Sequence, residues 1–451
     1  MPLGLEPCPV RAQRLQFAHG RSLALAEGAR AAHPGDMVKE SLSPVDATWL
    51  RMDSDTNPMV ITGMLVLDGP LERAAEAELV ERLLAEPRFH RRAVGPALGV
   101  GAWHWEDSPH FDPALHVHRV ALPSPGDDAA LAELLSDLMS TPLDHARPLW
   151  QLYVVELPKG TALITRIHHS MGDGVALVRM LLAITGIDAN PEEVGVLAST
   201  PVTGAVDLAK RTAEQALALG KLLLLPGDTP TPLKGRQSSR KRAAWSRAYS
   251  LEAIKKAAHA LDAKTNDLLM ASVTAGLRSY LEHREAMHDG LEVHAVVPVF
   301  FRGAAGLGNH FGLVFLALPL GTSEPHDRVR ALKRRMDHIK ATPEAQVTFA
   351  ILAATGVASP EIESIVVDIF SRKGSVMVTN IPGPPVPLTM AGRPLDRMLV
   401  WAPTSGHVGV GVSLLSYAGS VRMTVAADAA LVPDPERIVA AFEADMDALL
   451  G

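Results

Sequence analysis

The chain has 451 residues, 47% hydrophobic and 21% charged, which reads as a globular protein and makes two domains of about 150 to 200 residues the default expectation. Its 43 basic and 50 acidic residues leave a net charge of −7, so the total carries no mark of a nucleic-acid binder. The one cysteine, Cys8, can form no disulfide within the chain; it fits a reducing cytoplasm and argues against a thiol nucleophile.

Residues 1–36 contain no apolar block resembling a signal peptide, and the expectation there is a disordered extension, or a start codon set too early with Met37 as the beginning. Ordered structure is expected from "LSPVDATWLRM" (42–52), where Ser43 can cap a helix, Pro44 suits its first position and Asp46 its first turn. "PMVITGMLVLDG" (58–69) reads as a strand, "LERAAEAELVERLLAE" as a helix and "ALHVHRVALP" as a strand. "DDAALAELLSDLMSTPL" is helical, and "LWQLYVVEL" with "TALITRIHH" forms two strands joined at the turn "PKG".

The same grammar returns after residue 247. "SLEAIKKAAHALDA" and "NDLLMASVTAGLRSYLEH" read as helices, "LEVHAVVPVF" and "FGLVFLALPL" as strands, and "HDRVRALKRRMDHIKA" as a helix. The strands "GSVMVTNIP", "HVGVGVSLLSYAG" and "SVRMTVAAD" precede a last helix near Asp434. Mixed α/β layers therefore recur on both sides of an interruption. The expected division is an N-terminal α/β domain over 37–186, a helical and basic crossover linker over 187–247, and a C-terminal α/β domain over 248–451. The linker holds an apolar-striped helix (about 205–224) that can pack on the body or rest on a lipid surface. It also holds a basic run with Lys234, Arg236, Arg240, Lys241, Arg242 and Arg247. That run is either solvated or in contact with phosphate or anionic lipid, and Arg240, Lys241 and Arg242 are the candidates for phosphate. No stretch has the roughly 18 uninterrupted apolar residues that span a bilayer.

Chemistry concentrates in "HHSMGDG" (168–174). Along an extended strand, successive side chains alternate faces, so His168 and His169 cannot share one site. This argues against metal binding by the pair, and "HVH" (His116, His118) has no companion ligands in the sequence; no metal is expected. Gly172 and Gly174 permit a tight turn, and Asp173 is either a helix N-cap or a carboxylate ordering the loop. A neutral imidazole at a sheet's rim is suited to taking a proton near pH 7. Asn266 and Asp267 open a helix and are equally good cappers or positioning groups, Trp150 reads as core beside the active strand, and Asn380, Pro382 and Gly383 read as a strand-ending turn.

The HHxxxDG pattern resembles the active-site motif of the CoA-dependent acyltransferase superfamily. "LSPVDATWL", "RPLW", "TNDLLMASVTAGLRSYL", "LGNHFG" and "VTNIPGP" are similar, in order, to the blocks of the wax ester synthase/diacylglycerol acyltransferase family, and the DFGWG-type loop of the plant branch is missing. The resemblance runs from about residue 40 to the C-terminus. It implies two chloramphenicol acetyltransferase-like domains flanking a tunnel, with acyl-CoA and a long-chain alcohol or diacylglycerol as substrates and no cofactor. It also implies His169 as general base, Asp173 as a loop-ordering aspartate that Arg302 could pair, and Asn266 as a polarising group. A cytoplasmic enzyme, peripheral at a membrane or lipid inclusion, is the expectation. The rivals are acylation of a carrier-bound polyketide or peptide, and a non-catalytic lipid-binding protein of storage granules.

Overall fold

The β-branched runs and amphipathic stretches settle, in a computed structural model of the chain, into two large mixed sheets, one small sheet and the helices that cover them. The structure describes residues 39–96, 101–172, 226–288, 290–300, 309, 311–355 and 360–451. The expectations for residues 1–36 and for the helix at 205–224 fall outside these.

In chain order the first part comprises β1 (Glu40–Ser41), α1 (Pro44–Met52), β2 (Val60–Asp68), α2 (Arg73–Leu84), β3 (Arg91–Val94), β4 (His104–Asp107), β5 (Val117–Ala121), α3 (Asp128–Met139), β6 (Trp150–Leu157) and β7 (Gly160–His168). The second comprises β8 (Lys241–Trp245), β9 (Tyr249–Ser250), α4 (Leu251–Ala260), α5 (Thr265–His283), β10 (Val293–Phe300), β11 (Phe311–Leu318), α6 (Pro325–Lys340), α7 (Glu344–Thr355), α8 (Pro360–Arg372), β12 (Val376–Pro382), β13 (Thr389–Met390), β14 (Arg393–Trp401), β15 (Val410–Tyr417), β16 (Ser420–Asp428) and α9 (Glu436–Leu450).

The first large sheet has the order β13-β14-β2-β7-β6-β5, and the second the order β11-β10-β12-β15-β16-β8 with β9 added on β16. The strands β1, β4 and β3 form the small sheet. One apolar core lies between the second sheet and α4, α5 and α9, where Leu268, Leu277, Val412 and Phe442 are buried. Another lies under the first sheet around Leu65, Trp150, Leu163 and Ile167. At the seam between the sheets, Val45 and Trp49 of α1 pack with Met59, Val296, Phe311 and Met377.

Sheet membership departs from the contiguous halves expected from the sequence in two places. β8, inside the stretch read as a basic linker, is an edge strand of the second sheet, with Ala243 and Ala244 buried behind its charged start. β14, far along the second half, inserts beside β2 in the first sheet, Trp401 opposite Thr62 and Leu395 opposite Leu67. The linker is therefore partly a structural strand, and each half lends a strand or a covering helix to the other. On β8, Lys241 N–H donates to Ser140 Oγ at 2.8 Å and Ala243 N–H to Ser136 Oγ at 3.0 Å, which fastens the second sheet to α3 and the residue after it.

Candidate active site

Ser43 caps α1 as its sequence position suggests: its hydroxyl accepts the Asp46 N–H at 3.1 Å, and Pro44 occupies the first turn. The cap sets the rotation of α1, so that Asp46 and Trp49, three residues apart and thus on one helix face, both turn inward and are buried.

Opposite them, β7 delivers the two histidines. β7 ends at His168 and a short 3-10 turn begins at His169, so the two rings diverge. The His169 ring stacks on Trp49, centroids 4.1 Å apart and planes inclined by 15°, with the Phe311 ring at 5.9 Å. Its backbone N–H donates to the Met59 carbonyl at 2.7 Å. Its carbonyl accepts from Asn309 Nδ2 at 2.7 Å, and the same Nδ2 donates to Asp46 Oδ1 at 2.7 Å. His169 keeps 9% of its surface accessible where His168 keeps none.

Burial pushes the His169 ring down to about 4; its own carbonyl and the Asn309 amide oppose the shift, and the nearby His168 adds to it. The ring is therefore neutral at pH 7 and able to accept a proton. Burial likewise raises the Asp46 carboxyl, against the hydrogen bonds from Asn309 and Ser43.

His168 points instead to Asp53 and His145. Its Nε2 lies 3.7 Å from Asp53 Oδ1, and His145 Nε2 lies 2.8 Å from Asp53 Oδ2. Burial disfavours the Asp53 charge, yet the His145 hydrogen bond, the nearby His168 ring and the Met59 N–H outweigh it and hold the carboxyl below its usual range. Ligand-type atoms of Asp53, His145 and His168 lie within 4.8 Å of one another. His168 Nδ1, however, accepts the Ser170 N–H at 3.1 Å. That bond leaves the ring proton on Nε2, on the Asp53 side but beyond hydrogen-bond distance, which suits an electrostatic brace for the end of β7 better than a metal ligand.

The other sites read from the sequence are distributed as follows. Trp150 is core: its ring stacks on His116 at 4.7 Å and its Nε1 donates to the Phe89 carbonyl at 2.9 Å. Asn266, at the start of α5, accepts from Asn380 Nδ2 at 3.0 Å, so these two are brought together. Asp267 is fully buried and accepts the Lys264 N–H at 2.9 Å, a capping role at the start of α5. Pro382 ends β12, and Gly383 is required by close approach, since a Cβ there would sit 2.3 Å from the Ser416 carbonyl oxygen. Gly312 is required likewise, because its Cβ would meet the Ala345 carbonyl oxygen of α7. Gly172 has an extended backbone, φ 168°. Asp173, Gly174 and Arg302 lie outside the described residues.

Of the three residues expected to meet phosphate, the structure pairs two with carboxylates of the chain. Lys241 is half-buried, and its ammonium reaches Asp428 Oδ2 at 3.0 Å, Gln237 Oε1 at 2.8 Å and the Thr56 carbonyl at 2.7 Å. Arg242 pairs with Glu133 at 3.0 Å and Glu436 at 3.4 Å. The Lys241 ammonium is committed to the protein itself because β8 is a packed strand, whereas Arg242 stays partly exposed beside exposed acidic partners. Arg240 is exposed. Sequence reasoning assigned no role to Trp49, Asp53, His145 or Asn309. Only Trp49 and Asn309 carried any signal, as members of the blocks "LSPVDATWL" and "LGNHFG".

Two mixed sheets with a neutral histidine at their seam make the chloramphenicol acetyltransferase-like architecture, and solved structures share it. The wax ester synthase/diacylglycerol acyltransferase from Marinobacter aquaeolei aligns with a TM-score of 0.69 at 21% identity, covering 91% of this chain and 98% of its own. The first condensation domain of the calcium-dependent antibiotic synthetase aligns with a TM-score of 0.60 at 15% identity, covering 92% and 96%. The wax ester synthase/diacylglycerol acyltransferase catalytic domain matches residues 42–201, and the C-terminal domain of the same family matches residues 307–450. The chain belongs to that family and is an acyltransferase. Two relatives from Mycobacterium tuberculosis, both described as probable diacylglycerol O-acyltransferases, are 28% identical to it. One aligns over 441 residues (89% of this chain, 94% of the relative) and the other over 451 (90% and 97%). Among the described residues no helix is long and apolar enough to cross a membrane.

Proposed function

We propose that this protein transfers a fatty acyl group from acyl-CoA to the hydroxyl of a long-chain alcohol or diacylglycerol, with His169 as general base. The observation that carries the reading is the neutral, nearly dry His169 ring, stacked on Trp49 and touching Phe311 at the seam of the sheets. As the alcohol oxygen bonds to the thioester carbonyl carbon, the ring takes the hydroxyl proton. The tetrahedral oxyanion collapses, the C–S bond breaks, and the ring returns the proton to the CoA thiolate. No covalent acyl-enzyme forms, and the thioester supplies the driving force, so the reading calls for no cofactor. The products are insoluble in water, which favours work at the surface of a membrane or lipid inclusion.

The test is CoA-thiol release from palmitoyl-CoA with hexadecanol, diacylglycerol, short alcohols and amines as acceptors. Release above hydrolysis is expected with the lipid alcohols. Loss of the base should lower it about 10² to 10⁴-fold in His169→Ala, whereas His168→Ala keeps reduced activity. Equal rates in wild type and His169→Ala overturn the mechanism, and lipid binding without thiol release identifies a non-catalytic binder.

A further inference from the structure

Two segments hold the backbone of the histidine pair. The one between α1 and β2 supplies the Met59 carbonyl that accepts the His169 N–H at 2.7 Å, and the one between α3 and β6 supplies the Leu149 carbonyl that accepts the His168 N–H at 3.0 Å. The ladder of β2 with β7 ends at Val60 and His168, so the His169 bond is the last rung before the chain enters its 3-10 turn. End rungs open more easily than interior ones unless something outside the ladder fixes them. Asp53 does so here. Its Oδ1 accepts the Met59 N–H at 2.5 Å, and its Oδ2 lies 2.8 Å from Nε2 of His145, which belongs to the other segment. An ionised carboxylate only accepts, so the His145 ring is the donor, and both bonds are of the charge-assisted kind that is roughly twice as strong as a neutral one. Asp53 also follows directly on α1, the helix that lays Trp49 against the His169 ring. One side chain thus ties the stacking helix, the residue that holds the His169 N–H and the segment that holds the His168 N–H.

We propose that Asp53 is a positioning residue for the general base, acting through Met59, and that His145 holds its carboxylate in place. The inference rests on the assignment of His169 above. The contacts run from the His145 ring to Asp53, from Asp53 to the Met59 N–H, and from the Met59 carbonyl to the His169 N–H, each a hydrogen bond. Without the carboxylate, the N–H of the fully buried Met59 loses its acceptor and the residue turns in search of another. The His169 backbone moves with it, and the ring slides off the Trp49 face and out of line with the reacting hydroxyl. Asp53 takes no part in the proton transfer itself.

The experiment uses the full chain and reads three quantities: kcat per folded molecule, the KM values for palmitoyl-CoA and hexadecanol, and backbone amide exchange at Met59 and His169. Asp53→Ala should lower kcat about a hundredfold, the cost of a catalytic group displaced by about an ångström, with both KM values little changed. The Met59 and His169 amides should exchange faster in it while those of β10 stay protected. Asp53→Asn keeps an oxygen for the Met59 N–H and an amide that can donate to the other tautomer of His145, so it should recover most of the rate and the protection. His145→Ala should show a smaller loss of the same kind, and His145→Gln, whose amide nitrogen replaces the ring donor, a smaller one still. A purely structural role would lower the urea midpoint of Asp53→Ala and leave kcat per folded molecule unchanged. That result overturns the proposal, as does an Asp53→Asn as slow as Asp53→Ala, or a fall in kcat without faster exchange at Met59 and His169. Should Asp53→Ala not fold, the His145 pair decides, and an unchanged kcat in His145→Ala then overturns it. If His169→Ala keeps its turnover while Asp53→Ala still frees the two amides, the link through Met59 stands and the base assignment falls.

Discussion

The protonation of His169 follows from where its ring lies. Flat against Trp49 and nearly cut off from water, it binds a proton only at about pH 4. An imidazole in water titrates near 6.5. With His169 as the proposed base, the working form is the neutral ring, so the acid limb of kcat/KM should fall near pH 4 and leave the rate flat from there to neutrality. A midpoint near 6.5 would mean a hydrated ring. The same shift bears on stability: between pH 6.5 and 4 the unfolded chain takes up a proton at this ring that the folded chain refuses, so unfolding becomes easier across that window. The histidine pair was legible in the sequence because a motif confined to seven residues states its own spacing. Its surroundings were not: Asp46 and Asn309 stand 263 positions apart, and Asp53 and His145 stand 92 apart. Only the tertiary fold brings such pairs together, and Asp46 taken alone reads as an ordinary first-turn residue of α1.

β2, β7 and α5 were legible as long apolar runs, the strands bounded by turn residues, which matches their nearly continuous burial, and β6 by its partial alternation. β8 was hidden. "KRAAW" begins with two charges inside a run rich in arginine, and its strand character comes from pairing with β16. What secures it is the ion pair between half-buried Lys241 and buried Asp428, Asp428 also accepting from the Ser238 N–H at 2.7 Å. Removing the lysine leaves the buried Asp428 carboxylate with donors from Ser238 and Ala430 but no counter-charge, at a cost of about 1 to 3 kcal/mol. Lys241→Met is therefore expected to lower the unfolding free energy by that amount in urea titrations while leaving the KM for palmitoyl-CoA unchanged. A raised KM with unaltered stability would return Lys241 to the list of phosphate contacts.

Across the whole molecule, the two-sheet plan was readable from the alternation of elements, whereas the exchange between halves was not, since no local pattern tells a strand which sheet it will join. β14 pairs with β2 from Leu395 to Trp401, so a fragment ending before residue 389 leaves β2 as a bare apolar edge. Expressed alone, residues 39–388 should aggregate or show fast amide exchange along β2, and a soluble, well-protected fragment would show β14 to be dispensable. This interlock also decides how the protein can be recombined with its kin. A chimaera whose breakpoint falls in the middle of the sequence draws β2 from one parent and β14 from the other, and asks two unacquainted strands to match side chain for side chain. Grafts that move both strands together keep the donor's pairing intact, and they mark the natural boundaries for transplanting one enzyme's substrate preference into another.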